Sequence, residues 1–150
     1  MKNLFEAGRA AEIKERVARV RADSARQWGT MNATQALEHC ARGLEMATGD
    51  KKLPRKFVGR ILGPVIKPLA LGNDEPMRRN SPTAEELVVR EEGDIGAARA
   101  RLNELIDRFV AAGPKGCTTH PHVFFGPLTP EQWATLMYKH LDHHLRQFGA

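Results

Sequence analysis

Apolar residues along this 150-residue chain recur mainly at steps of three and four, the spacing that gathers them on one face of a helix. From Arg9 to Gln27 the positions Ile13, Val17, Val20 and Ser24 are separated by Arg, Lys and Glu, which predicts a first amphipathic helix. "WGTMNATQALEHCARGLEMATGD" predicts a second, with Asn32 as N-cap, Gln35 as its capping-box partner and Gly49 as the stop. Its apolar stripe is Ala36, Leu37, Cys40, Leu44 and Ala47. In "DIGAARARLNELIDRFVAAG" the stripe is Ile95, Ala98, Leu102, Leu105, Ile106 and Phe109, closed by Gly113 and Pro114. The last helix has a strong start signal, Thr129 at the N-cap, Pro130 at the first helical position and Gln132 two further on.

Between the second and third of these helices, Asp50 to Pro82 is rich in Pro and Gly and reads as a long connection holding one short helix, Phe57 to Leu71. Only "ELVVREE" hints at a period of two, and it is short. The pattern predicts an all-α fold, an antiparallel four-helix bundle with a long crossover between helices 2 and 3, built as a single domain over residues 1–150.

Composition narrows the function classes. The hydrophobic share of 41% and charged share of 27% are those of a globular chain. The net charge of +5 is local: residues 51–79 hold 8 basic and 2 acidic side chains, while the flanking regions are nearly balanced. A broad nucleic-acid-binding face is therefore not expected. "FVGRILGPVIKPLAL" is interrupted by Arg60, Lys67 and two prolines, so no transmembrane segment is expected. The start lacks the pattern of a secretory or transit leader, and Cys40 and Cys117 form no disulfide framework or CxxC pair, so a mature chain beginning at Met1 and located in the cytoplasm is the expectation.

The chemistry concentrates in the histidines. On the last helix Trp133, Leu136, Met137, His140, Leu141, His144, Leu145 and Phe148 share one face, so two histidines one turn apart lie within a core stripe. Buried imidazoles need partners. Either each bonds to a carbonyl, a carboxylate or water, or the pair binds a divalent metal. His39, at the flank of the second helix's stripe, is the best third ligand, although the same position suits a half-exposed surface histidine. His143 falls at the edge of the inward face, and His120 and His122 lie in the loop feeding the last helix. Cys40 reads as a small packed residue, and Cys117 as a thiol with no assigned role.

A first long helix, Trp28 and Met31 ahead of "QALEHC", and a last helix bearing "HLDHH" resemble the DinB-like (DinB/YfiT-like) superfamily. "WGTMNATQALEHC", "PMRRNSPT", "FFGPLTPEQW" and "YKHLDHHLRQFG" resemble one bacterial branch of it, defined as a domain of unknown function, over nearly the whole chain. The resemblance implies a four-helix bundle whose metal, zinc or nickel, is held by His39, His140 and His144. It also implies a small-molecule substrate, a low-molecular-weight thiol as co-substrate in some relatives, and a homodimer. Relatives of this branch carry a histidine just before the "FG" of the loop, which corresponds here to either His120 or His122.

Three functions follow as expectations. A metal-dependent enzyme, of S-transferase or hydrolase type, would use the three-histidine centre, with His143, Tyr138, His120 or His122 as a supporting residue or proton shuttle. A non-catalytic bundle would use the ion to tie helix 2 to the last helix. An interaction module would use the basic segment Lys51 to Lys67, whose bland alternative is a solvated connection covering the bundle.

Overall fold

The computed structural model describes all 150 residues, Met1–Ala150. Five α-helices appear in the order α1 (Arg9–Arg19), α2 (Ala33–Thr48), α3 (Phe57–Leu71), α4 (Ile95–Ala112) and α5 (Pro130–Gln147), with short 3-10 turns at Glu85–Leu87 and Gly113–Gly116 and no strands. Three helix starts follow the local signals. Asn32 and Gln35 form a full capping box on α2, Asp94 accepts from the Ala97 amide at the start of α4, and Thr129 and Gln132 form a second full box on α5. Each cap satisfies amides that helix geometry leaves without an internal partner. Gly49 ends α2 at φ 83°, a left-handed conformation that costs glycine little.

The first helix is shorter than its periodicity predicts. It stops at Arg19 rather than Gln27, because Val20 turns extended and the Ser24 hydroxyl accepts from the Arg21 amide. Further on, the Gln27 amide donates to the Gln147 carbonyl on α5, so a tertiary contact claims a group the helix would have used. "ELVVREE" forms the 3-10 turn and an extended segment instead of a strand.

α2 packs against α4 and α5, α1 lies across α4 and α5, and α3 rests on α5. The buried apolar side chains form one contiguous cluster, anchored by Trp133, Phe109, Leu102, Ile106 and Leu141. Most of α5 is covered: besides its apolar stripe, Thr135, Tyr138, Lys139, Asp142 and Gln147 are buried. The buried charged groups on this helix have partners, as burial requires, whereas the Trp133 indole Nε1 is buried without one. Asp142 pairs with Arg16 of α1 at 2.8 Å, and Lys139 donates to the Ala70 carbonyl at 2.6 Å, capping the end of α3.

Because α5 is held from three sides, loss of its cap should cost stability without changing the fold. Thr129→Ala is expected to lower unfolding free energy by about 1 kcal/mol. A melting temperature reduced by about 2–4 °C in calorimetry would agree; an unchanged one would show that Pro130 and the tertiary contacts suffice.

Candidate metal centre

Packing of α2 against α5 brings His39, His140 and His144 together although 101 residues separate the first two. Their ring centroids form a triangle with all three sides 4.8 Å, and the rings meet at 70°, 74° and 89°. Candidate ligand atoms of the three lie within 4.8 Å of one another, and no carboxylate or thiol joins the group. His39 Nε2 and His140 Nε2 approach to 2.8 Å.

Hydrogen bonds on the outer side of two rings decide which nitrogen faces inward. His39 Nδ1 lies 2.8 Å from the Leu87 carbonyl, which can only accept, so Nδ1 carries the hydrogen and Nε2 of the neutral ring keeps its lone pair. For His144 the reasoning needs one more step. Gln147 Nε2 donates to the Trp28 carbonyl at 2.7 Å, which turns Gln147 Oε1 toward His144 Nδ1 at 2.8 Å. That oxygen also only accepts, so His144 Nδ1 is the donor and its Nε2 lone pair is free. A carbonyl or amide oxygen behind the ring is the support that metal-ligating histidines use to fix their tautomer.

Burial keeps the imidazoles in the form a metal needs. Desolvation pushes His144 down to about 3, with the neighbouring His39 adding to it, and pushes His140 well below the usual histidine value, helped by His39 and His144. His39 is lowered by desolvation too, offset in part by its bond to Leu87. All three are neutral near pH 7.

Two glycines make room for this arrangement. A Cβ on Gly43 of α2 would stand 3.1 Å from His140 Cε1 and Nδ1, so the helix surface is cut away where that ring sits. A Cβ on Gly29, whose φ is +79°, would stand 2.5 Å from Gln147 Nε2. Neither glycine, nor Leu87, Trp28 or Gln147, is visible as a site residue in the sequence pattern, since each acts through a contact across the fold.

The other candidates are placed differently. Tyr138 faces α1, where its hydroxyl bonds to Glu12 at 3.3 Å. His120 Nε2 donates to the Leu53 carbonyl at 2.8 Å and ties the loop to the segment before α3. His122 Nδ1 accepts from the amides of both Phe124 and Phe125 at 3.1 Å, a role only an unprotonated nitrogen can fill. Cys40 is packed in the core, where burial pushes its thiol up, and Cys117 is raised to about 11 by desolvation and Glu131. Of the supporting candidates, His143 lies beside the trio, its ring 5.0 Å from that of His144. It lines a cleft of about 470 Å³ with Trp28, Met77, Arg79 and Arg146, and Arg79 lies over the Trp28 ring at 4.1 Å.

His122 yields a pH prediction. Burial depresses it to about 4, with Arg55 contributing, against 6.5 for the free side chain. Between these values the unfolded chain binds a proton that the folded chain refuses, so folding stability falls as pH drops from about 6.5 toward about 4. His122→Asn supplies an acceptor that does not titrate. Urea unfolding at stepped pH should show a shallower acid arm in the variant, by up to about 3 kcal/mol across the window; parallel curves would remove His122 as the cause.

Fold and site together define an all-helical protein of five helices with a three-histidine group able to hold a metal ion. Residues 4–150 match the family model described as "Protein of unknown function (DUF1569)", and the chain belongs to that family. No curated protein and no solved structure matches it. No helix is long and apolar enough to cross a membrane.

Proposed function

We propose that this protein is a metal-dependent enzyme of one domain, with a divalent ion, zinc or nickel, held by His39, His140 and His144. The observation that carries the reading is the outward anchoring of His39 and His144, which leaves two Nε2 lone pairs converging beside His140. The site fits such an ion by donor chemistry: imidazole suits both metals. Nitrogens around a tetrahedral zinc are about 3.3 Å apart, a value bracketed by the 2.8 Å approach of His39 to His140 and the 4.8 Å extent of the group.

Three ligands leave a position open, as catalytic rather than structural sites do. A divalent ion there would supply Lewis acidity, making a water or a small thiol nucleophilic near neutral pH. The chain's own contribution is orientation and access. Leu87 and Gln147 hold two rings in place, the cleft beside His143 admits the substrate, and Arg79 and Arg146 favour an anionic group on it. In this reading His143, whose ring stands 5.0 Å from that of His144, passes a proton between the cleft and the centre. The fold assignment that goes with this reading is the DinB-like four-helix bundle, supported by the α1, α2, α4 and α5 packing and by the origin of the trio on α2 and α5.

The test is metal stoichiometry followed by turnover. Untagged protein reconstituted with zinc or nickel should hold about one equivalent per chain by mass spectrometry, and should transfer a small thiol to chlorodinitrobenzene or hydrolyse a generic ester at a rate that a chelator abolishes. Less than about a tenth of an equivalent would refute the metal centre. Full occupancy without exchangeable solvent at the ion would favour a structural role.

A further inference from the structure

The large apolar residues exposed to solvent are, Met1 apart, all on α3: Phe57, Val58, Ile61, Leu62, Val65, Ile66 and Leu69. Helix geometry explains how one helix is apolar on its outside. Gly59 and Gly63, one turn apart, press against the backbone of Phe124, where a Cβ would come within 2.6 Å and 2.4 Å of its atoms. This glycine face is the one α3 uses to seat on the protein, so its bulky residues point the other way. Phe57 is 76% exposed, Val65 65% and Leu69 68%, values far from those of core positions. Contiguous apolar faces of this kind mark interaction sites in folded proteins.

Charge and size identify the occupant. Arg60 and Lys67 flank the apolar face, and Lys51, Lys52, Arg55 and Lys56 precede it, so the region is the basic part of the chain. Lys56 is engaged by Glu86 and Lys67 by the Pro127 carbonyl, whereas Lys52 and Arg60 are exposed with no ion pair. A second copy docked through α3 would bring like charges together. The face is also one helix long, a strip about 22 Å by 10 Å, the footprint of a single helix lying in a bilayer interface. An anionic bilayer meets both conditions: it takes up an apolar strip lying in its plane and attracts the basic rim.

We infer that α3 is a docking face for anionic membrane surfaces, lying in the interface with Phe57, Ile61, Val65 and Leu69 among the acyl chains and Lys52 and Arg60 at the headgroups. This attachment is independent of the metal reading, since no residue of the trio takes part.

Full-length protein is mixed with vesicles of phosphatidylcholine alone or with about a third phosphatidylserine, and bound protein is measured by flotation at stepped salt. Binding at least about tenfold stronger to the anionic vesicles, weakened by salt and by Lys52→Glu with Arg60→Glu, is expected. Ile61→Ser with Val65→Ser, both at exposed positions, should reduce it by a further tenfold or so while circular dichroism stays unchanged. Equal binding to both vesicles, or none to either, overturns the inference. So does a stable dimer in light scattering that the Ile61→Ser, Val65→Ser pair converts to monomer, which would assign the face to a second copy.

Discussion

His144→Ala is expected to take the zinc content of the reconstituted protein from about one equivalent per chain to less than about a tenth, and His39→Ala to do the same from the other helix. Either change leaves two imidazoles, too few to hold an ion against water and buffer. The informative readout is the metal-induced shift in melting temperature rather than the melting temperature itself. Truncating His144 also strips Gln147 Oε1 of its partner, a loss of about 1–3 kcal/mol that has nothing to do with metal. At a free metal concentration about a hundred times its dissociation constant, binding adds about 2.7 kcal/mol to the parent. For a chain of this size that is a rise of about 5–10 °C. Both variants should show almost none of it, and a full shift in either would remove that histidine from the site.

Gln147→Leu should weaken metal binding by about 10–100-fold while leaving all three ligands in place. Leucine is close in volume but can neither accept from His144 Nδ1 nor donate to the Trp28 carbonyl, the two bonds that orient the ring. His144 is then free to place its hydrogen on Nε2, which makes that nitrogen useless as a ligand. Gly29→Ala should act through the same link, because its Cβ would displace the Gln147 amide. Titration with a competing chelator measures both. Stoichiometry should stay near one at saturating metal, which separates a displaced support from a missing ligand; affinity within about threefold of the parent would show that the ring needs no such support.

What could be read from the sequence follows the range of the forces involved. The starts of α2, α4 and α5 are set by caps within three residues of one another, and these are legible. The His140 and His144 pair was visible because helical spacing places both on a core stripe, and His39 because its flank permits an inward ring. The end of α1 was not, since it depends on Gln27 bonding to a residue 120 positions away. Likewise, nothing local marks Gln147 or the Leu87 carbonyl as supports. For the basic crossover the sequence leaves an interaction module and a covering connection both open; that its helix turns the glycine face inward and the apolar face outward depends on the position of Phe124, which nothing local marks.

The separation of His39 from His140 has a kinetic meaning. An ion shared by them closes a loop of about a hundred residues, which in chain-entropy terms is comparable to a crosslink worth about 4.7 kcal/mol. Such a closure forms only after α2 and α5 have met, so it would act mainly after the folding transition state. Metal-loaded and metal-free chains should therefore refold at similar rates in stopped-flow experiments and differ in how slowly they come apart.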